Sequence, residues 1–413
     1  MNFPSRLPIP EPVLRIAEKL EAAGHETWCV GGAVRDNLLD YPNKDFDLAT
    51  AATPGQVQRL FRRTIPVGIE HGTVGVLDRD NQLHEVTSFR RDIGTDGRHA
   101  VVEFGASLEE DLARRDFTIN AIAYHPVRHE WRDPFDGAAD LDARVIRAVG
   151  DPDQRFREDY LRILRALRFA ARFGFTIEEA TWAAATATVA ELQHLSAERV
   201  RDEWFKGIVT SLNLSEFVRL WEDVGAMGVW MPDVVKSEKR EVKGALARLP
   251  SDPVLITSYL SEDPAITLSV LKCSNAEVER GRRIASYRDD PPDASSEVSV
   301  RKWMARVGDA VDDLLTITCA EQPESRLSAA VERVRDSGAP LSVGQLAVNG
   351  ATLMEAGIPE GPEIGRVLRR LLEDVLEDPT LNSPDKLMKH ARTLFTSHLS
   401  PFTRGREGEA SPE

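Results

Sequence analysis

The sequence predicts an α+β protein: a small mixed sheet with a few short helices, followed by a long all-helical region. Three observations lead there. Up to about residue 150, short apolar runs separated by turn residues alternate with short helical patterns. Beyond that point strand signals fade, and Ala, Leu and Arg recur with helical periodicity. The chain has 413 residues, 42% hydrophobic and 29% charged, which is the composition of an ordinary globular chain long enough for several domains.

Taken in order, residues 12–24 read as a helix whose apolar stripe is Val13, Leu14, Ile16, Ala17 and Leu20, ended by Gly24. Strand signals follow at 27–30, 45–49, 72–77 and 84–89. The Gly31-Gly32 pair opens a short helix, and Thr53-Pro54 starts another that carries Val57, Leu60 and Phe61. In the helical half, breaks fall at Ser251-Asp252-Pro253, Asp263-Pro264 and Asp289-Asp290-Pro291-Pro292, and Pro379 and Pro384 separate the last helices. After Ser397 the chain turns rich in Gly, Ser, Pro and Glu, and disorder is expected there.

No apolar run reaches transmembrane length, and residues 1–12 lack the apolar core of a signal peptide, so no membrane association and a cytoplasmic location are expected. Cys29, Cys273 and Cys319 are odd in number and widely spaced, which suggests neither a disulfide framework nor a zinc site. A net charge of −15 argues against non-specific nucleic-acid binding but leaves room for local basic tracks. Two stand out: Arg155, Arg157, Arg162, Arg165, Arg168 and Arg172, then Arg366, Arg369, Arg370, Lys386, Lys389 and Arg392.

The chemistry concentrates between Val30 and Thr50. Residues two apart on a strand share a face, so Asp45 and Asp47 present two carboxylates together while Phe46 points into the core. Such a pair calls for a cation, and Mg²⁺ favours hard oxygen ligands and substrate phosphates. The Gly31-Gly32 turn lets backbone N–H groups approach a triphosphate, and Arg35, one turn on, is expected to reach the same phosphates. A nucleotide, a metal pair and phosphoryl chemistry follow.

This arrangement resembles the polymerase-β-type nucleotidyltransferases, and further motifs narrow the match. Arg114-Arg115-Asp116-Phe117-Thr118-Ile119-Asn120-Ala121 is similar to the second motif of class II tRNA nucleotidyltransferases and bacterial poly(A) polymerases. Glu158-Asp159-Tyr160-Leu161-Arg162 resembles their E-D-x-x-R motif, and Ser196-Ala197-Glu198-Arg199 with Glu203-Trp204 their fifth. Gly357-Ile358-Pro359-Glu360-Gly361-Pro362-Glu363-Ile364-Gly365 resembles their tail signature. The resemblance implies a polymerase-β-like head at 1–145, a neck with the nucleobase-recognition helices at 146–210, a helical body at 211–340 and a tRNA-binding tail at 341–396, before a disordered 397–413.

The implied reaction is attack of an RNA 3′-hydroxyl on the α-phosphate of CTP or ATP, with release of pyrophosphate and the help of two Mg²⁺ ions held by Asp45 and Asp47. Glu85, on a neighbouring strand signal, is the candidate third carboxylate. Gly31, Gly32, Arg35 and Arg115 would hold the triphosphate, and Asp116 and Asn120 would lie near the ribose. Asp159 and Arg162, read as i and i+3 on one helix face, offer a carboxylate beside a guanidinium. Cytosine and adenine present an exocyclic amine beside an unprotonated ring nitrogen; uracil and guanine reverse that pattern. The pair would therefore accept C and A and reject U and G, with Arg165 and Arg168 orienting it or reaching phosphates.

Such a site suits addition of C, C and A to a tRNA 3′ end, with the acceptor stem gripped by the helical half. The same scaffold serves CC-only addition, A-only addition and polyadenylation, and a non-catalytic tRNA-end binder is the alternative from another class. A loop at 90–99 resembles the family's flexible loop, which favours terminal A addition. Residues 67–74 take the form more like the tRNA enzymes than the poly(A) polymerases. No H…HD…D series occurs in the C-terminal half, so no phosphatase activity is expected, and no protein partner is implied.

Overall fold

The computed structural model describes residues 3–41, 43–69, 72–95, 100–234 and 244–398. It divides into two compact units, 1–275 and 276–413.

The first unit is built on a seven-stranded mixed sheet ordered β3-β4-β5-β2-β1-β8-β9. Its strands are β1 (Thr27–Val30), β2 (Asp47–Thr50), β3 (Thr64–Pro66), β4 (Thr73–Leu77), β5 (Leu83–Ser88), β8 (Ala123–His125) and β9 (Glu130–Arg132). Within this sheet, among the described residues, only β2 and β5 pair in parallel, with Leu48 opposite Val86. Both faces are covered. Cys29, Phe46, Leu48 and Val86 join one core beneath α1 (Glu11–Ala22), whose Val13, Ile16, Ala17 and Leu20 are fully or almost fully buried. Trp28, Val30 and Ala49 face a second core closed by Leu108 and Leu112 of α4 (Leu108–Ala113). The strict alternation along β1 and β2 is the two-residue period of a strand buried on both sides.

Further elements of this unit are α2 (Gly32–Leu38), α3 (Pro54–Leu60), α5 (Gly137–Ala143) and the β6 (Arg90–Thr95) and β7 (Ala100–Phe104) hairpin. Strands β3, β8 and β9 and the hairpin fall outside the strand signals of the sequence; β8 and β9 are three residues each. After β10 (Val145–Ile146) come α6 (Pro152–Glu158), α7 (Leu161–Phe173), β11 (Thr176–Ile177), α8 (Glu179–Thr188) and α9 (Ala197–Thr210). Asp151 caps α6, and Gly174, at φ 65°, ends α7 in the left-handed conformation that glycine adopts without a Cβ penalty. One side of α7 joins the sheet core through Ala166, Phe169, Ala170 and Phe173. On α9, Trp204 stacks with Phe217 at 5.2 Å and meets Trp221 edge-on at 4.9 Å.

The second unit is helical. Its core joins Leu346, Val348, Leu353 and Ile358 to Val367, Leu371 and Val375 of the helix Pro362–Glu377 and to Leu387 and Ala391 of the last helix, Pro384–His398. The Gly357-to-Gly365 signature makes a helix stop and start: Gly357 has φ 92°, Gly361 precedes the helix with φ 140°, and Pro362 occupies its first turn. At that helix's C-terminus the buried Arg301 donates from Nε to the Leu376 carbonyl (2.9 Å) and from Nη2 to the Glu377 carbonyl (3.1 Å), meeting the negative end of the helix dipole. Residues 399–413, where disorder was expected, lie outside the described residues, as do 96–99 of the loop.

Candidate active site

Asp47 opens β2, and Asp45 precedes it by two residues, outside the strand. Both carboxylates reach solvent while Phe46 between them is 1% exposed, as the alternation requires. The parallel register that places Leu48 beside Val86 sets Asp47 next to Glu85, on the face opposite the α1 core. Protein crowds the Asp47 carboxyl on its inner side. Burial, with the charges of Glu85 and Asp45, pushes its pKa up to about 6 against the opposing pull of Arg115. Beneath it, burial first and then Asp47 drive the Cys29 thiol far above its ordinary value.

The glycine turn lies across from this edge, since Val30 pairs with Asp47. Gly31 has φ 76° and ψ −137°, and a Cβ built on it would stand 3.1 Å from Arg115 Nη1 and 3.8 Å from Asp47 Oδ2. Arg115 follows α4 and donates to Asp111 Oδ2 (3.2 Å) and to the Asn120 carbonyl (3.4 Å). Its Nε is buried and, among the described residues, has no hydrogen-bond acceptor. Gly31, Arg115 and the two aspartates therefore make one cradle.

A second concavity begins at Arg115. A pocket of ≈ 320 Å³ is lined by Arg114, Arg115, Asp116, Asp159, Arg162, Arg165 and Arg199, with Leu161. The helix-face premise for Asp159 and Arg162 does not hold. Helix α6 ends at Glu158 and α7 begins at Leu161, and Asp159 lies between them in extended backbone (φ −156°, ψ 105°). The two side chains nevertheless share the pocket. Arg162 is fixed by donating from Nη1 to the Arg155 carbonyl (2.9 Å) and Glu158 (2.7 Å), and from Nη2 to the Arg114 carbonyl (2.9 Å). Asp159 accepts from Arg199 Nη2 at 3.0 and 2.8 Å.

Behind the pocket runs a buried chain of alternating charges. Asp116 accepts from Arg165 Nε (2.7 Å), Asn120 Nδ2 (2.8 Å) and the Phe117 N–H (2.9 Å). Burial alone would raise its pKa; Arg165 and Asn120 outweigh that and hold it far below the carboxylate range. Arg168 donates to Glu203 (2.5 Å) and lies over the Phe169 ring, and it does not line the pocket.

Arg35 differs most from expectation. It is 3% exposed, bonded to Asp36 and Asn120, and stacked over Phe169 and Phe173 at 4.8 Å each, so it braces the turn from behind instead of facing the phosphates. Arg172 donates to Asp36 (2.9 Å). The first basic track is therefore largely spent on internal carboxylates and does not form the free basic face expected of it. Arg199 and Glu203 were legible only as members of the fifth motif, and Arg114 and Asp111 carried no role at all.

Among the described residues, no three carboxylate, imidazole or thiolate groups stand close enough to form a ready metal cluster. The donor set still fits a hard divalent cation. Asp45, Asp47 and Glu85 are neighbouring oxygen donors whose mutual repulsion already raises Asp47, and a cation would relieve it. A wider groove of ≈ 960 Å³, lined by Glu11, Arg15, Lys19, Phe61 and Arg79, contains none of these residues, so size alone does not locate the site. Among the described residues no helix is long and apolar enough to cross a membrane.

Comparison with known proteins agrees with this geometry. The family model described as "Poly A polymerase head domain" matches residues 27–147, and "Probable RNA and SrmB- binding site of polymerase A" matches 174–236. The fold and the carboxylate-edged cradle thus define a nucleotidyltransferase with a polymerase-β-type head. The chain is 36% identical over 400 residues to the CCA-adding enzyme of Latilactobacillus sakei, spanning 92% of this chain and 97% of that one. It is 35% identical over 415 residues to the CCA-adding enzyme of Lacticaseibacillus paracasei, spanning 95% and 100%. The chain belongs to the CCA-adding enzyme family.

Among solved structures, the Bacillus stearothermophilus CCA-adding enzyme in complex with CTP superposes with TM-score 0.77 at 29% identity, over 94% of this chain and 98% of that one. The Thermotoga maritima CCA-adding enzyme complexed with tRNA-CCA gives TM-score 0.68 at 19% identity over 92% and 94%, a likeness of fold.

Proposed function

We propose that this protein adds C, C and A to the tRNA 3′ end from CTP and ATP, without a nucleic-acid template, by phosphoryl transfer at the Asp45/Asp47 edge. The observation that carries this reading is the continuity of the cradle with the base pocket. Arg115 belongs to both, standing 3.1 Å from the Gly31 Cβ position on one side and lining the pocket of Asp159 and Arg162 on the other. A nucleotide laid across Arg115 would have its triphosphate at the glycine turn and its base against Asp159 and Arg162.

In the reaction the RNA 3′-oxygen bonds to the α-phosphorus as the bond to the bridging oxygen breaks, and pyrophosphate leaves with that electron pair while the hydroxyl loses its proton. Two Mg²⁺ ions held by Asp45 and Asp47, with Glu85 as the third carboxylate, would make the 3′-hydroxyl more acidic and neutralise the triphosphate. Arg115, whose Nη1 stands near Gly31, binds phosphate beside the Gly31-Gly32 backbone; Asp116 lies at the ribose and Asn120 holds it there. Arg35 and Arg168 act behind this surface as positioning residues, and Arg165 is held to the pocket wall by Asp116.

Asp159 accepts from the exocyclic amine and Arg162 donates to the ring nitrogen. A mismatched base leaves at least one of these polar groups unpaired, at a cost of about 1–3 kcal/mol. The similar structure in complex with CTP and the CCA-adding relatives at 35–36% identity support the substrates. The division into head, neck, body and tail stays part of this proposal, with the body and tail holding the RNA by shape and backbone. The β6–β7 hairpin favours terminal A addition over a CC-only enzyme.

The test is incorporation into three labelled tRNAs ending at the discriminator base, at C and at CC, with CTP alone, ATP alone and both. Growth of all three to CCA followed by a stop is expected. A halt at CC, addition of A alone to the CC end, or long A tails would replace the proposal with the corresponding activity.

A further inference from the structure

Asp159 is not a bare carboxylate. Its Oδ1 accepts from the Leu161 N–H (3.1 Å) and from Arg199 Nη2 (3.0 Å), and its Oδ2 accepts from the same Nη2 (2.8 Å). Because Asp159 lies outside both helices, no helical turn fixes its side chain, and Leu161 and Arg199 supply the orientation. Arg199 comes from elsewhere in the chain, in the first turn of α9 behind the Ser196 cap, and its side chain remains 34% exposed on the pocket wall.

A guanidinium has five N–H donors and no acceptor. Pointed at the pocket without Asp159, Arg199 would meet the carbonyl of uracil or guanine, the group that a carboxylate repels. The other cations lining the pocket are engaged elsewhere: Arg162 with two carbonyls and Glu158, Arg165 with Asp116, and Arg114 and Arg115 with Asp111. We infer that Arg199 is a specificity-determining residue, a latent donor to carbonyl-bearing bases that Asp159 keeps occupied. Asp159 then acts twice. It accepts from the amine of C or A, and it withholds from U and G a cation placed to welcome them.

The inference rests on the reading of Asp159 as a base-selecting group, and a double-mutant cycle separates the two. Single-nucleotide incorporation of CTP, ATP, UTP and GTP is measured as kcat/KM on tRNA ending at the discriminator base and at CC. The variants are Asp159→Ala, Arg199→Ala, the double variant and Asp159→Ala/Arg199→Lys. Asp159→Ala is expected to raise the UTP:CTP ratio by roughly 10- to 100-fold, the range of a charge-assisted hydrogen bond exchanged between bases. The double variant should lose that gain through a fall in UTP use, and the lysine variant should keep part of it. Arg199→Ala alone should weaken CTP and ATP while UTP use stays at the wild-type level.

A double variant that still admits UTP as Asp159→Ala does, or UTP use that rises in Arg199→Ala alone, overturns the role of Arg199 and leaves the base-selection reading standing. Unchanged discrimination in Asp159→Ala overturns both. If a variant does not turn over, equilibrium binding of UTP and CTP followed by calorimetry supplies the same ratio, and the same outcomes decide.

Discussion

Replacing Gly31 by alanine separates the two glycines of the turn, which look interchangeable in the sequence. Gly31 holds φ 76° and ψ −137°, a combination that a residue with a Cβ enters only at a cost of about 1–3 kcal/mol. The new methyl would also stand 3.1 Å from Arg115 Nη1, so that guanidinium must give by a few tenths of an ångström. Gly32 is the first residue of α2, and its Cβ would be 3.6 Å from Arg35 Nη2, an ordinary contact. Alanine there gains up to roughly 0.5–1 kcal/mol of helix preference.

Thermal unfolding of the full chain should therefore show Gly31→Ala lowered by roughly 2–10 °C and Gly32→Ala unchanged or slightly raised. Steady-state kinetics should show KM rising about tenfold for CTP and ATP alike, equivalent to roughly 1.4 kcal/mol of binding, because Arg115 serves the phosphates common to both. Equal stability of the two variants would refute the backbone argument. A KM change confined to one nucleotide would refute the placement of Arg115.

Asp45→Ala combined with Asp47→Ala should abolish incorporation while tRNA affinity, measured by gel shift, stays within about twofold; residual activity would remove these residues from the metal edge. Asp47→Asn tests the raised carboxyl. Its folded pKa of about 6 lies above the ordinary 3.8, so wild-type stability falls as pH rises through that interval. In chelator the asparagine variant should then melt higher at pH 8, with the advantage gone by pH 4 and reduced by Mg²⁺; an advantage that persists at pH 4 would contradict the cause given. In the second unit, Arg301→Met strips the Leu376 and Glu377 carbonyls of charged donors. It should cost that unit about 2–4 kcal/mol in urea unfolding, and a loss under 0.5 kcal/mol would dismiss the cap.

The strand edge was legible because the two-residue period needs only local sequence: Asp45, Phe46 and Asp47 alternate as written, with Phe46 buried. The Gly31 turn and the helical half were legible for similar reasons. Arg35 was misjudged because the partners that capture it, Phe169, Phe173 and Asn120, lie far along the chain, and nothing local reveals them. The Asp159 error has another origin. No glycine or proline separates α6 from α7, so the break between Glu158 and Leu161 leaves no mark in composition, and Asp159 and Arg162 share a pocket wall without a helix face in common. Arg199 had the signal of a motif without a partner, and its contact with Asp159 spans 40 residues. The three-residue strand β8 pairs along the edge of β1, and β9 in turn pairs with β8, contacts that no local pattern announces.

The buried charge chain behind the pocket also sets terms for anyone who recombines these enzymes. A head exchanged at residue 145 would part Asp116 from Arg165 and Asp36 from Arg172, since each pair has one member on either side of the cut. A graft supplying Asp116 without Arg165 would leave that buried carboxylate without its counterion, a penalty of about 3–5 kcal/mol, whereas Asp36 would keep Arg35. Cutting after Gly174 instead carries both pairs across intact and leaves Asp159 with Arg199, Arg165 and Arg168 with Glu203, and Arg147 with Glu178 as contacts for the recipient to match. The seam that keeps these two pairs whole therefore lies two helices later than the change from sheet to helix suggests.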